Sequence, residues 1–223
     1  MPINIYSIRY SPPCRAVLMT AKQLNIDLNV KTVDLSQGQH LAEDYLKMNP
    51  AHTVPTIDDD GFILWESRAI MQYLCNRYAP DSPLYPTEPK KRALVDRWLN
   101  YDLSVFSALR ESLLPKFMGS EMSEENKTKF NDTIKLLDQL IGNNKYVTGS
   151  GLTIADLSLL ATTSLLIIFD MDLSPYPNFK TWLTGLSEEL PYYDEINKFE
   201  NEDIMGFMAK MTAFFLEKMN KSQ

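Results

Sequence analysis

Apolar and polar residues follow two different periods along the first third of the chain. They alternate over residues 3–8, as in a strand with one buried face, and then recur at helical spacing over residues 14–24. Residues 28–33 predict a second strand, so these elements form a βαβ unit with an expected right-handed crossover. Apolar residues flank Asp-Asp-Asp-Gly at residues 58–61, which predicts a hairpin. Helical spacing returns over residues 66–78, giving the order βαβ, then ββα.

The rest of the chain shows helical periodicity after a proline-rich connector. Prolines recur at every third position from Pro80 to Pro89, which favours an extended, semi-rigid segment. Apolar residues then share a helix face in three stretches: Leu94, Trp98, Tyr101 and Val105; Phe130, Ile134, Leu137 and Ile141; and Phe207, Met211, Phe214 and Phe215. We therefore predict one domain at residues 1–79, a linker at 80–89 and an all-helical domain at 90–223.

Composition and charge narrow the class of protein. The net charge of −7 argues against a nucleic-acid binder, which usually carries a basic face. The longest apolar run, residues 157–169, is too short to span a bilayer, so no membrane partner is expected. Two separated cysteines and no signal-peptide pattern at the start favour a reduced, cytoplasmic setting. His40 and His52 have no obvious third companion, so no metal site is predicted.

The pair Val54-Pro55 can present backbone groups to a peptide ligand. An X-Pro bond adopts the cis form at modest cost, and a cis turn at a strand end would expose the Val54 N–H and C=O. Those two groups can hydrogen-bond a peptide as an added strand would. An ordinary edge-strand proline explains the same residues equally well.

The triplet Glu66-Ser67-Arg68 opens the predicted helix with an acid, a hydroxyl and a base. Free N–H groups at the helix start favour an anion near Ser67, and Glu66 can pair with an ammonium group. A free amino-acid end carries both groups side by side. The alternative is that these residues only stabilise the first helical turn.

Ser11 and Cys14 are the candidate reactive groups. The Ser11 hydroxyl can donate to a sulfur anion, or it can simply cap the helix that follows. A hydrolase serine is disfavoured, because the chain lacks a G-x-S-x-G elbow. Cys14 lies beside Arg15 near a helix start and can be a nucleophile, although free cysteines are more often buried. His40 and His52 can hold a carboxylate, or they can be exposed loop residues.

These motifs resemble those of cytosolic glutathione S-transferases, most similarly the insect delta and epsilon classes. Four segments carry the resemblance: residues 11–15, 49–56, 65–70 and 152–156. It implies an α/β N-terminal thioredoxin-like domain, an all-α C-terminal helical domain and a homodimer.

The resemblance also implies roles for individual residues. Ser11 would be the catalytic hydroxyl that stabilises the glutathione thiolate, and Val54 with a cis Pro55 would hold the cysteinyl part of glutathione. Asp102 would approach the glutathione of the partner subunit. Thr153 and Asp156 would form a capping motif that matters for folding.

The two ends of glutathione are assigned in the same way. Glu66, Ser67 and Arg68 would hold the γ-glutamyl end, and His40 and His52 would contact the glycyl carboxylate.

The expected second-substrate site departs from the delta-class pattern. Its candidate residues are Pro13, Leu35, Ser107, Arg110, Phe117, Phe207 and Phe215. Arg9-Tyr10 stands where delta enzymes usually carry Pro-Gly, and Ser107 and Arg110 replace frequent aromatic residues. This would shift preference towards polar or anionic electrophiles, unless Arg110 faces solvent.

The expected function is transfer of glutathione, as co-substrate, to small hydrophobic electrophiles in detoxification. No permanently bound cofactor is expected. The alternatives are a non-catalytic carrier of hydrophobic ligands and a thiol-redox enzyme that uses Cys14.

Overall fold

The computed structural model describes residues 2–117 and 119–221, without the side chains of residues 117, 168, 201, 215 and 218–221. The strands are β1 (Ile3–Ser7), β2 (Leu28–Thr32), β3 (Thr56–Asp59) and β4 (Phe62–Trp65). The helices are α1 (Pro12–Gln23), α2 (Glu43–Met48), α3 (Ser67–Tyr78), α4 (Pro89–Phe117), α5 (Glu124–Ile141), α6 (Ile154–Ile168), α7 (Pro177–Glu189), α8 (Tyr193–Asn197) and α9 (Asn201–Lys221). Two short 3₁₀ turns, Leu35–Gln37 and Gln39–Leu41, precede α2.

The four strands form one mixed sheet in the order β2-β1-β3-β4. β1 pairs parallel with β2, whereas β3 pairs antiparallel with both β1 and β4. Ile3 and Ile5 of β1 are buried, and Asn4 and Tyr6 between them are half-buried. The alternation in the sequence therefore predicted the inner face of β1 correctly. The sheet followed by a helical half confirms the predicted fold class.

The helical half confirms one predicted apolar face and corrects another. Phe130, Ile134, Leu137 and Ile141 are all buried on α5, as predicted. On α4 the prediction was wrong for Leu94, which is 40% exposed. The α4 face that packs against α5 and α6 is rotated by one position and includes these buried residues: Val95, Trp98, Leu99, Asp102, Val105, Leu109 and Leu113.

Arg15 lies at the junction between the sheet domain and the helices. It is buried where α1 packs on α6, and its Nη2 donates to the Ala161 carbonyl at 3.4 Å. Its guanidinium carbon lies 5.2 Å from the centre of the Phe199 ring, a cation–π contact. Burial lowers the pKa of Arg15 to about 10, so the residue still carries its charge at neutral pH.

The start of α6 is held by the carboxylate of Asp156. This carboxylate accepts hydrogen bonds from the Val147 N–H (2.7 Å), the Thr153 N–H (2.9 Å), the Thr153 hydroxyl (2.9 Å) and the Trp182 indole (3.4 Å). Burial raises the pKa of Asp156, and these donors act in the opposite direction. The predicted capping motif is thus present, and it joins α6 to the preceding loop and to α7.

None of the helices described is both long and apolar enough to cross a membrane.

We expect Asp156→Ala to lower the free energy of unfolding by about 3 kcal/mol or more, because it leaves buried donors without an acceptor. Urea unfolding followed by circular dichroism measures the change, and Asp156→Asn supplies a milder variant should the alanine variant not fold. The control is Asp172→Ala, which removes an exposed carboxylate bonded to the Ser174 N–H. Equal destabilisation by the two alanine variants would contradict this role of Asp156.

Candidate functional site

Strand register brings three distant segments to one edge of the sheet. Thr56, the first residue of β3, pairs with Tyr6 on one side and with Trp65 on the other. The end of β1, the loop before β3 and the end of β4 therefore meet at the same edge. The turn into Ser11, the Val54-Pro55 bond and the start of α3 all leave from this place. The candidate residues of three motifs are thus brought together by backbone pairing alone.

Ser11 stands at the start of α1 with a half-exposed side chain. Its N–H donates to the Ile8 carbonyl (3.1 Å) and its carbonyl accepts from the Arg15 N–H (3.1 Å). The hydroxyl makes no capping hydrogen bond to the helix, which removes the simple capping explanation. Since Pro12 and Pro13 have no N–H, the first turn offers a ligand only the Cys14 N–H. The first turn of α1 therefore supplies few backbone donors beside the Ser11 hydroxyl.

Cys14 is completely buried in the core of the sheet domain. Burial raises the pKa of its thiol, against smaller lowering effects from hydrogen bonds with Ser7, Ile8 and Ser11. A buried thiol with a raised pKa stays protonated at neutral pH and is a poor nucleophile. The geometry therefore disfavours the alternative in which Cys14 does redox chemistry.

The Val54–Pro55 peptide bond is cis, as predicted. Pro55 is buried, whereas Val54 is half-buried beside the sheet edge. Among the described residues, the N–H and C=O of Val54 have no hydrogen-bond partner in the protein. Both groups are thus available to an extended ligand backbone.

Asn49 and Tyr45, which the sequence analysis missed, hold the loop before Pro55. The buried Asn49 amide donates to the Thr53 carbonyl (3.0 Å) and the Thr56 hydroxyl (2.9 Å). The Tyr45 hydroxyl donates to the same Thr53 carbonyl at 2.6 Å. Asn49 precedes a proline, a common turn context that gives no sign of its burial.

Glu66 has an unusual backbone conformation for a residue with a side chain. Its φ of 72° lies in the left-handed region, and its side chain is exposed directly before α3. Non-glycine residues in this region are often found at ligand sites, where the surrounding structure holds them. Ser67, the first residue of α3, is buried at 3% exposure. The acid and the hydroxyl therefore occupy a helix N-terminus, where backbone N–H groups are free to bind an anion.

Arg68 points into the protein and pairs with Asp102 of α4. Its Nη2 bonds Asp102 Oδ2, and its Nη1 donates to the Ser67 hydroxyl at 3.3 Å. The Ser158 hydroxyl of α6 donates to the same Asp102 oxygen at 2.5 Å. The Asp102 side chain has no exposed surface, since it lies on the inner face of α4 against α3 and α6. In this chain Asp102 therefore holds Arg68 beside Ser67, and its expected approach to the glutathione of a partner subunit stays a prediction.

The two histidines lie close together. The ring centres of His40 and His52 are 6.1 Å apart, and His52 is exposed with a φ of 48°. The His40 ring also lies 6.1 Å from the Phe214 ring of α9. His40, in the second 3₁₀ turn, and His52, in the loop after α2, thus lie on either side of α2 in the chain, and His40 is next to the C-terminal helix.

The residues expected around the second substrate are spread over more elements than the candidate glutathione residues. Pro13 and Leu35 are half-buried, and Ser107 and Arg110 are exposed on α4. The Ser107 hydroxyl donates to Glu111 at 3.0 Å, and Glu111 pairs with a lysine of α5.

Of the three aromatic residues in this group, only Phe207 can be placed. Its ring stacks on Tyr10, with ring centres 4.5 Å apart and an interplanar angle of 21°. The side chains of Phe117 and Phe215 lie outside the described residues.

Comparison with known families matches both halves of the chain. Residues 5–83 match the family described as "Glutathione S-transferase, N-terminal domain", and residues 70–189 match "Glutathione S-transferase, C-terminal domain". Two curated relatives carry the name glutathione S-transferase D7. The Drosophila melanogaster protein is 37% identical, over 86% of this chain and 88% of its own. The Anopheles gambiae protein is 34% identical, over 93% of this chain and 97% of its own.

Solved structures of glutathione transferases are also similar to this chain. A delta-class glutathione transferase from Nilaparvata lugens is 40% identical with a TM-score of 0.85, and the match covers 96% of this chain and 100% of that one. An epsilon-class glutathione S-transferase from the housefly, Musca domestica, is 36% identical with a TM-score of 0.83, over 93% of this chain and 98% of that one.

We expect Asn49→Ala to lower the free energy of unfolding by about 2–4 kcal/mol, because it removes a buried amide and leaves the Thr53 and Thr56 oxygens with fewer donors. Thermal and urea unfolding measure this loss. Asn100→Ala is the matched control, since the Asn100 amide is exposed on α4 and donates only to the Asp96 carbonyl. If both variants unfold at the same urea concentration, Asn49 does not hold the loop.

Proposed function

The chain belongs to the glutathione S-transferase family, and we propose that it places the glutathione thiol beside the Ser11 hydroxyl and bonds the sulfur of intact glutathione to small hydrophobic electrophiles. The observation that carries the proposal is the common sheet edge at which Ser11, the free Val54 backbone groups and the start of α3 meet. A tripeptide laid along this edge has its cysteinyl part opposite Val54. Its sulfur then points towards α1.

Glutathione has charged groups that match both flanks of Val54. The γ-glutamyl end carries an ammonium and a carboxylate, which suit the exposed Glu66 carboxylate and the N-terminus of α3 at Ser67. The glycyl end carries a carboxylate, which suits the neighbouring His40 and His52 rings. Each end of the peptide thus meets a group of complementary charge or hydrogen-bonding capacity.

The Ser11 hydroxyl activates the sulfur by stabilising the thiolate. A thiol with a pKa of about 8.5 is only a few per cent ionised at neutral pH, and the thiolate is the nucleophile. A pKa lower by about two units requires roughly 2.7 kcal/mol of stabilisation. One or two hydrogen bonds to the anion supply this at about 1.5–3 kcal/mol each. Since Pro12 and Pro13 donate nothing, the hydroxyl and the Cys14 N–H carry this role.

Arg68 and Asp102 support the proposed γ-glutamyl subsite from the protein interior, behind Ser67. The buried Asp102 carboxylate fixes the Arg68 guanidinium, which in turn donates to the Ser67 hydroxyl. Truncation of either partner leaves the other as an uncompensated buried charge. We infer that the pair keeps Ser67 in its binding position and that neither residue takes part in the chemical step.

We also infer the assembly, the domain bounds and the cellular setting. Exposed apolar side chains lie on β4, α4 and α5: Phe62, Leu94, Leu103, Leu136 and Leu140. A homodimer that covers these faces would bury them.

Residues 1–79 form the glutathione domain, residues 80–89 the linker and residues 90–223 the helical domain that completes the electrophile site. The enzyme acts in the cytoplasm, with glutathione as co-substrate and with no permanently bound cofactor.

Ser11→Ala is expected to raise the pKa of the enzyme-bound glutathione thiol by about one to two units, because one hydrogen bond to the thiolate is lost. The conjugation rate at neutral pH falls accordingly, while the affinity for glutathione stays nearly unchanged. Thiolate absorbance of the binary complex, titrated against pH, measures the pKa. Ser11→Thr keeps a hydroxyl and is the matched control. An unaltered thiol pKa in Ser11→Ala would exclude this role.

Arg68→Ala is expected to raise the KM for glutathione by about tenfold or more, because it leaves Asp102 buried without its cation. Asp102→Asn should also raise the KM for glutathione. The double variant should lose less binding free energy than the two single variants together, because the two residues are in contact. Steady-state kinetics with varied glutathione give the three values. Arg97→Ala serves as the control, because Arg97 is an exposed arginine on α4, the helix that carries Asp102. Strict additivity would show that the two residues act independently.

A further inference from the structure

Arg9 and Tyr10 are the two central residues of the turn that leads into Ser11. The Ser11 N–H closes this turn on the Ile8 carbonyl at 3.1 Å. The Arg9 Nη2 donates to the Lys198 carbonyl at 2.9 Å, and its guanidinium carbon lies 4.9 Å from the centre of the Phe199 ring. One corner of the turn is thus bonded to the segment between α8 and α9.

Tyr10, the other corner, contacts α9 itself. Its ring is stacked 4.5 Å from Phe207 and lies 5.4 Å from Phe199 at an angle of 45°. Aromatic pairs at such separations attract beyond the area they bury. Because Tyr10 is bonded covalently to Ser11, the stack fixes the position of α9 relative to the hydroxyl that faces the sulfur.

A second contact holds α9 near the other end of the glutathione site. The Phe214 ring lies 6.1 Å from His40, and a Cβ atom on Gly38 would come within 3.6 Å of it. Phe207 and Phe214 are seven residues apart, about 10 Å along a helix, which is close to the length of an extended tripeptide. The helix α9 therefore runs between the thiol end and the glycyl end of the proposed glutathione site.

The stacked pair also borders a large groove. This groove, of about 990 Å³, lies between α1, the β2 edge and α9, and both Tyr10 and Phe207 line it. Ser11, the residue next to Tyr10, does not line it. Tyr10 and Phe207 thus both border the groove, and Tyr10 is the lining residue next to Ser11 in the chain.

We propose that Tyr10 is a specificity-determining positioning residue, which holds Phe207 and α9 as the wall of the electrophile site and closes that site off from the groove. The inference rests on the proposed function, because Ser11 marks where the sulfur lies. With the wall in place, a compact electrophile is held near the thiolate, which lowers the entropic cost of reaction. Without it, the site opens into the groove, so a compact electrophile is held poorly and a bulkier one has room.

The test compares two aryl chlorides of equal activation, a chlorodinitrobenzene and a bulkier naphthalene analogue, on the full-length enzyme. The measured quantity is the ratio of kcat/KM for the bulky substrate to kcat/KM for the compact one. We expect Tyr10→Ala and Phe207→Ala to raise this ratio by about fivefold or more, mainly through a higher KM for the compact substrate. Tyr10→Phe keeps the stack and should retain the ratio of the parent enzyme. Met205→Ala is the control on α9, since Met205 is 61% exposed.

Two further measurements, the thiol pKa and hydrogen exchange of α9, distinguish this positioning role of Tyr10 from a role in thiol activation. The pKa of the bound glutathione thiol should not change in Tyr10→Ala, whereas it rises in Ser11→Ala if the proposed activation holds, so the two proposals fail separately. Hydrogen exchange of α9 should become faster in Tyr10→Ala and not in Tyr10→Phe. The inference is overturned by an unchanged ratio in Tyr10→Ala, by a failure of Tyr10→Phe to keep it, or by an equal change in Met205→Ala.

Discussion

The position of Thr56 between Tyr6 and Trp65 is the constraint on which the site depends. Because β3 pairs with β1 on one side and β4 on the other, the end of β1 and the end of β4 must meet the start of β3. A slip of one residue would turn the side chains of β3 to the opposite face and bury Asp58 in place of Ile57. Hydrophobic burial of β3 therefore also sets the spacing between Ser11, Val54 and the start of α3.

Buried charges connect this edge to the helical half. The carboxylate of Asp156 holds the start of α6, and Ser158, two residues later, donates to Asp102. Asp102 in turn fixes Arg68 beside Ser67. Apart from the helix backbone between Asp156 and Ser158, each step is a hydrogen bond or ion pair between buried or partly buried groups, where an unpaired partner is costly. The capping motif at Thr153 and Asp156 is thus connected to the start of α3 through α6, Asp102 and Arg68.

The sequence predicted those features that follow from local rules. Strand alternation, the Asp-Gly turn and the helix start at Ser67 each depend on a few neighbouring residues, and the structure has all of them. The residues alone left the Val54–Pro55 bond open, the family resemblance implied the cis form, and the bond is cis. The burial of Asn49 and the partner of Asp102 could not be predicted, because they depend on how α2 and α4 are placed after folding. Leu94 was assigned to the wrong face for a related reason. A 29-residue helix with buried and exposed apolar residues on adjacent positions has no single apolar stripe.

The turn before Ser11 shows how a change in loop sequence can act on the whole site. Two prolines leave the first turn of α1 with few backbone donors, so any anion bound there would depend on the Ser11 hydroxyl more than at a helix start with free N–H groups. That hydroxyl follows a turn whose two corner side chains both contact the C-terminal segment. The Ser11 hydroxyl and the residues that contact α9 are therefore neighbours in one turn, residues 8–11, although each makes its own contacts. In a chain with small residues at positions 9 and 10, α9 would lack these contacts and would have to be held by other packing.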